Sequence, residues 1–243
     1  MALDFSRYDT RHYRTVEVRE GYAAWSRFYD AQLDGNMDLF LLERIEDLDW
    51  GAVRAVVDLG CGTGRIGAWL AGRGVGAVDG VDLTPEMLDK ARSLGVYRTL
   101  REEDVRRTSL PSATADLLVS GLVVGHIPDL GPVYDEIDRL LRPGGHFILI
   151  GYHPFFLLSG VPTHFHEKDG TAVAIRNHVH LISHHVSSGR RRGWALGQML
   201  ERVVDADWVG SNPSWSRHLH KPASFAIVWR RAESPSRDST TIP

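Results

Sequence analysis

The sequence predicts a doubly wound α/β fold around a seven-stranded, mostly parallel sheet, and three observations lead there. Short β-branched runs alternate with helix-length segments from Ala52 onward. The first run ends in an acid followed closely by glycines, Asp58-Leu59-Gly60-Cys61-Gly62-Thr63-Gly64, as a buried strand does on entering a tight turn and helix. At 243 residues the chain suits one sizeable α/β domain with an embedded lid.

Taken in order, aromatic and aliphatic residues recur at helical spacing between Val18 and Asp47 and predict two amphipathic cap helices. The first strand covers 52–58 and its helix 65–72. A strand at 76–82 leads to a helix over 85–94 with Thr84 at its N-cap, and a weaker strand follows at 96–100. The fourth strand spans 115–120, a helix runs over 130–141 until Pro143-Gly144-Gly145 stops it, and the fifth strand spans 146–152. This alternation implies right-handed βαβ units with helices on both faces. A looser segment at about 153–180 is expected as a lid. A helix over 181–192 and strands at 194–204 and 224–229 complete the sheet. The expected division is cap helices over 1–50, the main domain over 51–231 and a disordered tail over 232–243, where almost nothing can be buried.

A formal net charge of -3 provides no basic field for nucleic acid or an anionic membrane, so the expected partner is a small molecule. A single cysteine excludes an internal disulfide framework and fits a cytoplasmic, reducing compartment. The N-terminus has no apolar stretch suited to export or insertion.

The glycines of the first turn let the backbone bend and bring a ligand close to N–H groups at a helix N-terminus. Taken alone they also admit a dinucleotide, because Gly62-Thr63-Gly64-Arg65-Ile66-Gly67 satisfies G-x-G-x-x-G and Asp82 follows at a ribose-binding distance. Asp58 weighs against that, since its negative charge opposes a pyrophosphate and tolerates a cationic sulfonium. The run Val56 to Gly64 resembles the first motif of the class I S-adenosylmethionine-dependent methyltransferases, a Rossmann-like family, and Gly80 to Leu88 is similar to the second.

The resemblance implies a cofactor site built from Asp58, Gly60, Cys61, Gly62 and Gly64. In it Asp82 takes the ribose hydroxyls, Leu83 and Met87 pack on the adenine, and Asp104 with Val105 reads its edge. Gly121 and Leu122 close the site after the fourth strand. S-adenosylmethionine would be the donor and S-adenosylhomocysteine the product. Nucleic-acid amino-methyltransferases of this fold carry Asn/Asp-Pro-Pro-Tyr/Phe after strand four, and nothing of that form follows Ser120. The stretch Gly21 to Asp30 resembles the aromatic cap helix of the small-molecule, natural-product subgroup (methyltransferase types 11 and 25).

His126 and His153 follow strands four and five, whose carboxyl ends line the crevice of open α/β sheets. Each is a candidate general base or a hydrogen-bonded wall residue. Tyr22, Trp25 and Tyr29, with Tyr152, His166 and His180, are the candidate acceptor contacts, and the first three also fit plain core. Cys61 reads as a small filler between glycines rather than a nucleophile. The pairs His164/His166 and His178/His180 have i, i+2 spacing but no third ligand, so no metal is expected. Arg190 to Arg192 reads as a solvated helix end.

The expected activity is methyl transfer to an oxygen, nitrogen or carbon of a small molecule in secondary metabolism, by a monomer or homodimer. The alternatives are a cofactor-binding relative that does not methylate and, more remotely, a dehydrogenase.

Overall fold

A computed structural model describes residues 2–33 and 36–233. Its centre is a seven-stranded sheet whose strands we number β1 (Ala55–Leu59), β2 (Ala77–Asp82), β3 (Tyr97–Glu102), β4 (Ala115–Gly121), β5 (Leu141–Tyr152), β6 (Ala195–Val203) and β7 (Pro222–Arg230). The spatial order is β6-β7-β5-β4-β1-β2-β3. Strands β1 to β5 are parallel, and β7 inserts antiparallel between β5 and β6. The expected seven-stranded, mostly parallel sheet is therefore present.

Residues alternate between the faces of each strand, so buried runs feed two separate cores. Val57, Leu118, Phe147 and Leu149 pack on one side with Tyr134, Ile137, Trp194 and Trp229. Val56, Leu117, Val119 and Ile148 pack on the other with Leu41, Leu42, Ile66 and Leu70. The first face is covered partly by the helix Leu130–Leu140, the second by the helix Arg65–Gly72 and the N-terminal cap.

Three differences from the sequence reading have local causes. The two expected cap helices are three short ones, α1 (Val18–Trp25), α2 (Tyr29–Gln32) and α3 (Leu39–Leu42). The Pro143-Gly144-Gly145 turn lies inside β5, whose ladder with β4 begins at Leu141 and slips in register before His146. The segment expected as an irregular lid is partly sheet: His164–His166 pairs with Ala172–Ile175, which pairs in parallel with Arg14–Val16. That long-range pairing places α1 over the carboxyl ends of the central strands. Of the expected disordered tail, 234–243 lies outside the described residues, whereas Glu233 forms an ion pair with Arg230 at 2.6 Å. Among the described residues no helix is long and apolar enough to cross a membrane.

Candidate active site

The sheet order reverses between β1 and β4, the place where open α/β sheets leave a crevice for ligands. A cavity of about 440 Å³ occupies it. Its floor is the turn after β1, where Gly62 has φ +53° and a Cβ there would meet no atom within 4 Å. The space a side chain would fill is open, and it belongs to the cavity. Gly64, φ +91°, caps the following helix where a Cβ would fall 3.2 Å from the Ala91 backbone, so glycine is required for close packing there.

Asp82 closes β2 and lines the cavity. One carboxylate oxygen accepts the Gly62 N–H at 2.8 Å and the other the Thr84 N–H at 2.8 Å, which ties the two turns together. Thr84 itself makes no side-chain cap; Asp82 holds that helix start instead. Burial raises the Asp82 carboxyl above its ordinary range, against these hydrogen bonds. Leu83, Met87, Asp104 and Val105 line the same wall. The guanidinium of Arg106 grips Asp104, with Nε at 2.9 and 3.0 Å from its oxygens, and that hydrogen-bonded pairing holds the carboxyl below its ordinary range. Opposite lie Gly121 and Leu122, the latter at φ +61°, a left-handed conformation rare for leucine and locked by an N–H bond to the Ile150 carbonyl at 2.8 Å.

The roof comes from the cap. Tyr22 and Tyr29 line the cavity together with His126. The Nδ1 of His126 lies 2.7 Å from the Arg176 carbonyl, which has only lone pairs, so Nδ1 carries the proton and donates. Its Nε2 therefore accepts the Tyr22 O–H at 2.9 Å. Burial holds His126 neutral, with a pKa lowered to about 4.

Other sequence-predicted residues lie elsewhere. Asp58 is wholly buried behind the turn and outside the cavity lining: Tyr97 O–H donates to one oxygen at 2.8 Å, and the other has no partner among the described residues. It lies behind the cavity wall, covered by Tyr97, rather than in the lining. Cys61 is likewise buried, its sulfur directed at Gly80, and Gly64 is covered by Leu94 and Tyr97. His153 is a helix cap. Its Nδ1 accepts the Phe155 N–H at 3.1 Å at the head of Pro154–Leu158 and its Nε2 donates to Glu201 at 3.0 Å, which leaves no nitrogen for catalysis. His153→Ala is expected to cost about 1 kcal/mol, as loss of an N-cap does, read as a lower midpoint in urea unfolding at unchanged slope. The Nε2–H of His180 donates to the Ile127 carbonyl, 2.7 Å away, and the ring stands outside the cavity. Trp25, Tyr152 and His166 line a second cavity, described below.

Five charged or titratable cavity residues were not among the expected site residues: Glu17, Arg19, Arg106, Arg176 and His178. Arg106 carried a signal, standing two residues after Asp104, and His178 was singled out only as half of the His178/His180 pair. The others are joined only by the pairing of Arg14–Val16 with Ala172–Ile175, and there Arg176 meets Glu17 at 2.6 Å. Among the described residues no cluster of three or more candidate metal ligands occurs.

Comparison with known proteins agrees with this geometry. The family described as "Methyltransferase domain" matches residues 57–149, from within β1 to within β5. An uncharacterized methyltransferase of Emericella nidulans is 28% identical over 85% of this chain and 87% of its own. The trans-aconitate 2-methyltransferase of an Azoarcus species is 35% identical over 49% of this chain, a segment covering 45% of that enzyme. A solved S-adenosylmethionine-dependent methyltransferase from Mesorhizobium loti shares the fold, with a TM-score of 0.65, 23% identity, and coverage of 81% of this chain and 98% of that one.

Residues 57–149 form a methyltransferase domain of the class I S-adenosylmethionine-dependent kind. The residues present fit that family's cofactor. This methyltransferase offers an open glycine cradle at Gly62, a fixed carboxylate at Asp82 for two hydroxyl donors, and an apolar slot between Leu83, Met87 and Val105 for a flat base.

Proposed function

We propose that this methyltransferase moves a methyl group from S-adenosylmethionine to a hydroxyl or amine of a small-molecule acceptor. The observation that carries the reading is the single cavity joining the Gly60 to Gly62 turn, the Asp82 carboxylate and the Tyr22–His126 pair. When bound, S-adenosylmethionine supplies a methyl group on a positive sulfur that becomes neutral as the acceptor's nucleophile takes the carbon.

The chain's residues have three tasks in this reading. Asp82 orients the ribose, Leu83 and Met87 hold the adenine face, and Asp104 with the Val105 N–H reads its edge. Tyr22 and Tyr29 roof the reacting atoms and exclude water, so that most of the rate comes from orientation. His126 receives the acceptor's proton at Nε2, with the Tyr22 oxygen as carrier: the phenol gives its proton to Nε2 as it takes one from the acceptor. The Azoarcus relative's name gives trans-aconitate, a small molecule, as what that enzyme methylates, which agrees with a small acceptor here.

Incubation with labelled S-adenosylmethionine and a panel of phenols, amines, sugars and carboxylates tests the reading, with mass spectrometry for a gain of one methyl group. Binding of S-adenosylhomocysteine without transfer to any member would favour the non-methylating alternative. With an accepted substrate, Tyr22→Phe and His126→Phe are each expected to lower kcat roughly 10²-fold. The wild-type kcat/KM is expected to fall on the acid side near pH 4, because burial lowers the His126 pKa to about that value. An acid limb at the ordinary histidine value near 6.5 would remove His126 from this role.

A further inference from the structure

A second cavity, of about 310 Å³, adjoins the first. Trp25 closes it and packs on Tyr29, a wall of the first cavity, with ring centroids 4.7 Å apart, so the two chambers share a wall of aromatic side chains. The second chamber has parallel faces. Phe156 lies nearly parallel to Tyr152 (6.2 Å, 13°) and to Trp215 (5.6 Å, 24°), and all three line the space. Such a surface suits a flat aromatic ligand.

Two polar groups at the same chamber bear on its ligand: a buried imidazole N–H without an acceptor and a guanidinium without a carboxylate among the described residues. His218 is 6% exposed. Its Nε2 accepts the Nε–H of Arg217 at 3.1 Å, so the imidazole proton resides on Nδ1. That Nδ1 is buried and has no partner among the described residues. Burial, with Arg217, Lys221 and Arg11 nearby, holds the ring neutral and its pKa lowered to about 4. Arg217, exposed beside it, forms no ion pair among the described residues. A buried donor left unanswered costs roughly 1–3 kcal/mol, so its persistence at a cavity wall beside a guanidinium points to a ligand that accepts from both. A carboxylate does so, with one oxygen for each donor.

We propose that this chamber anchors the acceptor of the methyltransferase as an arene carboxylate, its ring against Phe156 and Trp215 and its carboxylate on Arg217 and the His218 Nδ1–H. The proposal rests on the methyl-transfer reading for the word acceptor and on the chamber alone for the ligand class.

Calorimetric titration of the full chain tests it, with 2-naphthoate as the probe, 2-naphthalenemethanol as the uncharged control, and S-adenosylhomocysteine titrated on every preparation. Naphthoate is expected to bind once per chain and at least about tenfold tighter than the alcohol, the loss of a charge-assisted pair corresponding to that factor or more. Arg217→Met and His218→Phe are each expected to remove at least that factor while S-adenosylhomocysteine binding stays within about twofold. Should His218→Phe lose S-adenosylhomocysteine binding as well, the exposed Arg217→Met decides by itself. Equal affinity for naphthoate and the alcohol, or naphthoate binding unchanged in Arg217→Met, overturns the proposal. Absence of S-adenosylhomocysteine binding by the wild type would sink the methyl-transfer reading instead, while the naphthoate titration still judges the ligand class.

Discussion

Asp82→Ala is expected to weaken S-adenosylhomocysteine binding by about 10²-fold or more. Two effects add. The carboxylate is the cavity's best acceptor for a pair of ribose hydroxyls, and hydrogen bonds to a charged group contribute roughly 1.5–3 kcal/mol each. The same carboxylate holds the Gly62 and Thr84 N–H groups, both at 2.8 Å, so alanine also releases the glycine turn that forms the cavity floor. Since each 1.4 kcal/mol is tenfold, even the lower value for two bonds reaches 10²-fold. Calorimetry with S-adenosylhomocysteine measures it, beside a thermal melt to show that the variant folds. A dissociation constant within about threefold of wild type would show that Asp82 does not meet the cofactor.

Asp58→Asn is expected to flatten part of the pH dependence of stability. Complete burial raises the Asp58 carboxyl to about 7, with Asp82's charge adding and the Tyr97 O–H and Gly67 N–H opposing. In the unfolded chain it titrates near 3.8. Between those values the folded state binds the extra proton, so the stability this group contributes is fully present below about 3.8 and is lost as pH rises through about 7. From pH 5 to 8 the loss is on the order of 3 kcal/mol. Asparagine keeps the shape and the bond from Tyr97 but cannot ionise.

The buried histidines act with the opposite sign. His126, held near 4, and His185, near 3, are neutral when folded, so their contribution is present above 6.5 and declines as pH falls. The difference between wild type and variant, taken from urea unfolding at pH 5, 6.5 and 8, isolates Asp58. It is expected to shift toward the variant as pH rises. A constant difference would mean that Asp58 is ionised throughout.

These two acids show how far the sequence could be read. Asp58 and Asp82 both stand beside glycines at strand ends, and both were legible as parts of one cofactor turn. Their roles differ because of depth: Asp82 reaches the cavity, whereas Tyr97, from a strand two places away, covers Asp58. Nothing in the motif marks Tyr97. His126 and His153 were equivalent by position after successive strands, and only their partners separate them. The Arg176 carbonyl frees His126 Nε2 toward the cavity, while Phe155 and Glu201 occupy both nitrogens of His153.

The sequence by itself determined the fold class, the strand alternation and the residues from Gly60 to Val105 that form one wall of the cavity. Those features are local: β-branched runs, glycines with positive φ and acids at strand ends act within a turn or two of chain. The tertiary structure decided the roof and the second chamber. Both depend on contacts between distant segments, as Arg14–Val16 with Ala172–Ile175, Tyr22 with His126, and Phe156 with Trp215. Such pairings arise from burial and hydrogen-bond satisfaction across the whole molecule, which spacing along one chain does not encode.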